Sequence, residues 1–368
     1  MFRLREISTM RHRTGHWPAY VLVAVVAGCA SKQPQPLPVI EPPIVPFAQV
    51  FTLADTLRLD SAVVVGGIEY IDVNSDGDIL VSDGFAPEAY VFDRRGRAKH
   101  TFRPSDCVPS WTGTSGITKW GPHGTAVYRG PVGIVVFNEM GQCAESDTEI
   151  GNVRAACTIA DTIYTLPVYA RLIFRKIRAY SMELDKLWAV AAVDPKFPNL
   201  NEIVRPNEGF AMACFTDGPY YVTVGSPDAR AVWGQGGMQF KVHPTFFDTR
   251  PQDLPLTRDR DERLRELGSH PVTVGVIALD AETRLVVYGW LRKKWMTDPQ
   301  ASPPGIGLGI ASNTNLFSAI STVSPVWPFG GSDGVLYSVG ETEKLSDGDI
   351  GNPVIIRYKF IPPSDAAP

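Results

Sequence analysis

The chain has 368 residues and a formal net charge of −4, with 44% hydrophobic residues, 33 Gly and 31 Pro. A mildly acidic balance argues against nucleic-acid binding, which needs clustered Lys and Arg to displace phosphate counterions. The Gly and Pro content calls for frequent turns and few long helices, and the hydrophobic share suits a packed core. The length admits two ordinary domains or one large all-β domain.

At the N-terminus, Arg3, Arg5, Arg11 and Arg13 precede an apolar run from Tyr20 to Ala27, which ends in Val26-Ala27-Gly28-Cys29. The run is far shorter than the ~20 apolar residues that span a bilayer. Small residues before Cys29 suit a peptidase that reads an extended backbone in tight pockets. The arrangement resembles a bacterial lipoprotein signal peptide with its lipobox. That resemblance implies export, cleavage before Cys29 and a lipid on that thiol, with Met10 as an alternative start. It places the chain on the lipid membrane of the cell envelope. No Asp follows Cys29, which favours the outer membrane, facing the periplasm or the cell surface. Losing residues 1–28, with four Arg and one Glu, takes the net charge to −7. Residues 29–46 hold Gln33-Pro34-Gln35-Pro36-Leu37-Pro38 and Glu41-Pro42-Pro43, which read as a semi-extended tether because Pro fixes φ and lacks an amide donor. The body is expected over 47–362, with a tail over 363–368.

The clearest structural unit is 67–103. Ile68 to Val73 alternates as a half-buried strand should. Asn74-Ser75-Asp76-Gly77-Asp78 is a turn cluster, followed by strands at Ile79–Asp83, Ala89–Asp93 and Ala98–Phe102, with a second turn at Arg94–Arg97. Four strands joined by short turns form an up-and-down meander. Weaker copies follow at 116–141, 153–193, 208–242, 272–291 and 332–360. Six such units fit the body. Packed radially they would cover one another's faces and edges, and Phe51–Leu53 or Leu57–Leu59 would close the ring beside the C-terminal strands. The run Asn74-x-Asp76-Gly77-x-Ile79-x-Val81-x-Asp83, then Val91-Phe92-Asp93-x-x-Gly96, resembles the six-bladed β-propellers related to NHL repeats, many of them bacterial lipoproteins. The resemblance implies an all-β, six-bladed propeller of four-stranded antiparallel blades. A pair of β-sandwiches is the alternative. Residues 258–268, charged and ending at Gly268, are predicted to form a short inserted helix.

Cys107, Cys143, Cys157 and Cys214 remain after export and allow three disulfide pairings. Asp72, Asn74, Asp76, Asp78 and Asp83 copy the spacing of a calcium loop. A propeller hairpin explains the same residues as turn formers. His100, His123, His243 and His270 make no pair at metal-ligand spacing. Gly305-Ile306-Gly307-Leu308-Gly309 reads as a flexible loop, lacking the Lys of a phosphate loop. Trp290, Trp295, Trp327, Tyr288 and Phe329, and Trp111 with Trp120, could pack between blades or face a ligand. The first function expected is a binding or scaffold lipoprotein for a protein or glycan partner. The alternative, implied by propellers that hydrolyse lactones or phosphoesters around a central calcium, is a metal-dependent hydrolase. Glu69, Asn152 and Glu208 fit that role by position only.

Overall fold

A computed structural model describes residues 39–40, 43–111, 116–167, 176–192, 212–216, 218–222, 228–231, 240–242, 271–290, 306–312, 319–342 and 351–362. The chain divides into Met1–Pro36 and Leu37–Pro368, and every described residue belongs to the second unit. The predicted helix at 258–268 lies outside the described residues.

The strands run β1 (Val39–Ile40), β2 (Phe51–Leu57), β3 (Ile68–Val73), β4 (Ile79–Asp83), β5 (Ala89–Phe92), β6 (Ala98–Phe102), β7 (Ile117–Trp120), β8 (Ala126–Arg129), β9 (Ile134–Phe137), β10 (Cys143–Asp147), β11 (Val153–Ile159), β12 (Thr162–Pro167) and β13 (Lys176–Ser181). They continue with β14 (Lys186–Ala192), β15 (Met212–Phe215), β16 (Gly218–Val222), β17 (Asp228–Ala231), β18 (Phe240–Val242), β19 (Pro271–Ala278), β20 (Thr283–Trp290), β21 (Ile306–Ser312), β22 (Ile320–Ser324), β23 (Pro328–Ser332), β24 (Val335–Val339) and β25 (Ile355–Phe360). One short helix, α1 (Phe47–Val50), precedes β2.

The fold is an all-β propeller of four-stranded antiparallel blades. Five sheets have four strands each, in the orders β3-β4-β5-β6, β7-β8-β9-β10, β11-β12-β13-β14, β19-β20-β21-β22 and β23-β24-β25-β2. The sheet of β15 to β18 gains β1 as a fifth strand, added in parallel along β18. The second strand of the first sheet, β4, is buried throughout, because neighbouring sheets cover both its faces. Burying a Val, Leu, Ile or Phe side chain in this way contributes about 1.5–3 kcal/mol. The last sheet is built from both ends of the chain: β2 lies antiparallel to β25, with Phe51 opposite Phe360 and Leu57 opposite Ile355. This is the closure expected from the sequence.

The first strands of the sheets form a ring. Each of β3, β7, β11, β15, β19 and β23 touches the next, and β23 returns to β3. Every junction carries a specific link. Ser332 Oγ donates to Val73 O at 3.3 Å. The Trp120 N–H donates to Asp72 at 2.8 Å, and Thr158 Oγ1 to Trp120 O at 3.0 Å. A disulfide joins Cys157 of β11 to Cys214 of β15. Thr216 donates to Ala281 O, and the Gly334 N–H to Leu279 O. Where β23 meets β3, a Cβ on Gly330 would stand 1.9 Å from Ile71 O, so only glycine allows that approach. The second disulfide, Cys107–Cys143, ties the segment before β7 to β10.

Two expectations are corrected. Residues 306–309, expected in a flexible loop over 305–309, are strand: Ile306 to Ser312 form β21, buried except at Ser312. The period-two alternation of Ile306, Leu308 and Ile310 places them in the core, and it outweighs the glycines between them. The tether expected over 29–46 ends earlier. Val39 and Ile40 pair with Lys241 and Val242 of β18. Further on, the Ser321 N–H donates to Pro43 O at 2.9 Å and the Val45 N–H to Ser321 O at 2.8 Å. Residues 39–40 and 43–45 thus form a strap along the outer strands of two sheets before the chain enters a third. Phe47 then stacks on Phe51 and meets Tyr358 edge-on.

Candidate functional site

Two places gather chemistry or exposed apolar surface. The first lies within the ring of first strands. Alternation along β3 and β7 turns Tyr70, Asp72 and Lys119 toward the neighbouring first strands. Lys119 is 8% exposed and Tyr70 is equally buried. Lys119 Nζ reaches past β11 to donate to Met212 O of β15 at 3.0 Å, and it lies 4.9 Å from the centre of the Tyr70 ring. The Asp72 carboxylate accepts the N–H groups of Trp120 and Val73. Burial dominates the ionisation of all three groups. It pushes the Asp72 carboxyl up to about 6, against the pull of Lys119. It brings the Lys119 ammonium down to about 8, with Asp72 opposing and Arg129 assisting. It raises the Tyr70 phenol well above its ordinary value.

The second place is a pair of loops, 58–67 before β3 and 84–88 between β4 and β5. Asp83 ends β4 with its side chain buried, and its carboxylate accepts the Gly66 N–H at 2.8 Å and the Phe85 N–H at 2.8 Å. The Gly84 N–H donates to Gly67 O, also at 2.8 Å. Asn352 holds the same crossover from the other side: its Oδ1 accepts the Val65 N–H, and its Nδ2 donates to Asp60 O and Val63 O. Between these two anchors Val64 is 77% exposed, and Phe85 on the neighbouring loop is 82% exposed. The Phe85 ring lies against the Gly66-Gly67 backbone, where a Cβ on Gly67 would come within 2.7 Å of it. One face of the ring is therefore seated on backbone while most of the residue meets solvent.

The calcium-spacing residues occupy the β3–β4 turn and its flanks. Asn74 Oδ1 accepts the N–H groups of Asp76 and Asp78. The same turn recurs at Asp93, Asn138 and Ser181, each accepting N–H groups two and four residues on. Asp78 pairs with Lys99 at 2.5 Å, while Asp72 and Asp83 are held as described above. Among the described residues no group of three or more His, Cys, Asp or Glu side chains is placed to hold a metal ion. Glu69 lies on β3 and Asn152 is exposed before β11, while Cys29, Glu208, His243, His270 and Trp295 lie outside the described residues. His100 packs edge-on to Phe102, and His123 sits in a turn with φ of 53°. Trp111 is buried against Tyr128 and Trp120 meets Phe102 edge-on, so both serve packing. Trp327 and Phe329 are partly buried against the core. Sequence reasoning missed Lys119 and Phe85. The signal for Phe85 was available in Gly84-Phe85-Ala86-Pro87, an aromatic in a turn with no apolar partner at strand spacing.

No family model and no curated protein matches the chain. Solved structures do. The "Putative exported protein" from Bacteroides fragilis NCTC 9343 superposes with a TM-score of 0.57 at 9% identity, over 87% of this chain and 98% of that one. A member of the DUF4221 family from Bacteroides vulgatus ATCC 8482 gives 0.52 at 10% identity, over 85% and 98%. At these identities the likeness is one of fold.

Proposed function

We propose that the chain is an exported, envelope-anchored binding protein: a six-bladed propeller that presents the loops around Val64 and Phe85 to a protein or glycan partner. The observation that carries this reading is the exposure of two large apolar side chains on adjacent loops that Asp83 and Asn352 hold in place. Apolar surface held out by rigid loops is a usual mark of an interaction site. The blade count rests on the ring of six first strands. Two disulfides favour an oxidising compartment, in line with export and lipidation at Cys29, and the solved structure described as exported shares the fold.

The test has two arms. Cys29→Ala should move the protein from washed membranes to the soluble fraction; full retention would overturn the anchor. A photo-crosslinking residue at Phe85 should give one discrete adduct in intact cells, lost when Val64→Ser is added. The same probe at Leu53, exposed on the outer strand β2, should not give that adduct. Equal adducts from both positions would remove the loop face from the proposal.

A further inference from the structure

Lys119 is buried, and its ammonium lies where first strands meet. An ammonium has three N–H donors, and a buried charge is costly unless its donors are matched. Among the described residues Lys119 makes one hydrogen bond, to Met212 O. The Tyr70 ring offers it a π face rather than an acceptor. Asp72 attracts it through space, yet that carboxylate receives the N–H groups of Trp120 and Val73. Arg129, at the end of β8, adds positive charge felt by both Lys119 and Tyr70.

We infer that Lys119 binds the carboxylate of a small monoanionic ligand inside the ring of first strands, through the N–H donors that Met212 does not take and beside the Tyr70 ring. The Tyr70 ring of β3 and the Met212 carbonyl of β15 lie against it, and Asp72 of β3 and Arg129 of β8 act on it through their charges. Asp72 limits the charge of the ligand, because its carboxylate acts on Lys119 through space and would repel a dianion more than a monoanion. It also makes binding depend on pH: protonated Asp72 no longer repels the ligand, and Lys119 stays charged throughout that range. This site is separate from the loop face and stands or falls without it.

Acetate is the probe. The purified full-length protein is titrated with acetate at constant ionic strength and followed by saturation-transfer difference NMR, once below the Asp72 transition at about 6 and once at neutral pH. Binding should be tighter at the lower pH by on the order of tenfold, the effect of one nearby charge. Asp72→Asn should bind more tightly than the wild type at neutral pH and lose the step in affinity near 6. Lys119→Met should bind at neither pH. Absence of transfer to the wild type, or unchanged binding by Lys119→Met, overturns the inference. If Lys119→Met does not fold, Asp72→Asn decides alone: tighter binding than the wild type at neutral pH, without the step near 6, supports the site, and wild-type behaviour overturns it.

Discussion

Asp83→Ala is the sharpest probe of how the exposed loops are held. The carboxylate is 1% exposed and accepts two backbone N–H groups, at Gly66 and Phe85, each at 2.8 Å. Hydrogen bonds to a charged group contribute about 1.5–3 kcal/mol each, and loss of the acceptor leaves its donors unmet. Both bonds vanish in the alanine variant, so its stability should fall by about 3–5 kcal/mol. Asparagine keeps one acceptor oxygen and should lose about half as much. Urea unfolding measures this as a lower midpoint with an unchanged slope, since the area exposed on unfolding stays the same. Amide exchange at Gly66 and Phe85 should quicken in step, because these N–H groups lose their acceptor while the β3–β4 ladder remains. A midpoint within about 1 kcal/mol of wild type, with both amides still protected, would refute the claim that Asp83 fixes the loops.

Three further outcomes follow from the ring. Replacing Cys157 and Cys214 with Ala opens a link spanning 57 residues and should cost about 4 kcal/mol by the loop-entropy relation; an unshifted melting temperature under non-reducing conditions would count against it. Gly330→Ala forces a Cβ onto Ile71 O and should cost at least ~2 kcal/mol or prevent folding, since the atom it meets is backbone; wild-type stability would show that β23 and β3 can separate. Stability should also vary with pH in two windows. The folded-state value of Asp72 lies above its ordinary 3.8, at about 6, so the native state holds that proton more tightly and stability falls as pH rises through this window. For Lys119 the folded value, about 8, lies below the ordinary 10.5, so stability climbs again as pH rises from 8 toward 10.5. Asp72→Asn should abolish the first limb and Lys119→Met the second, and identical profiles for all three proteins would sink the assignment.

Local pattern revealed the propeller because each strand carries its own record of burial. The limits of β3, β4 and β6 match the expected strands residue for residue, and the turn at Asn74 repeats at Asp93 and Asn138 with Gly at the same offset. Closure by β2 was legible for the same reason. The calcium-like spacing has a second source in the fold: Asn74 fixes two N–H groups of a tight turn, and such a turn by itself selects Asn, Asp and Gly. Lys119 could not be found this way. Its environment is Met212, 93 residues distant, and Tyr70 from another sheet, and nothing near Lys119 in the chain encodes either contact. The strap was hidden for a related reason, since a Pro-rich run reads as solvated until the edge it covers, at Ser321, is known.

The two ends of the first strands have different work. At the ends nearest Val73, Trp120, Thr158 and Ser332, side-chain oxygens are engaged with neighbouring strands, and a disulfide joins the pair from β11 and β15. Groups held in this way fix the ring. At the opposite end of β3, Asp83 and Asn352 direct their hydrogen bonds to backbone N–H and C=O groups of the crossover, leaving Val64 and Phe85 outward. Loops ordered before binding lose little conformational entropy when a partner arrives. Two apolar side chains held open on them would otherwise only reduce solubility. Under the proposed function, altering Phe85 should change what the protein holds while leaving its stability intact. Altering the ring should do the reverse.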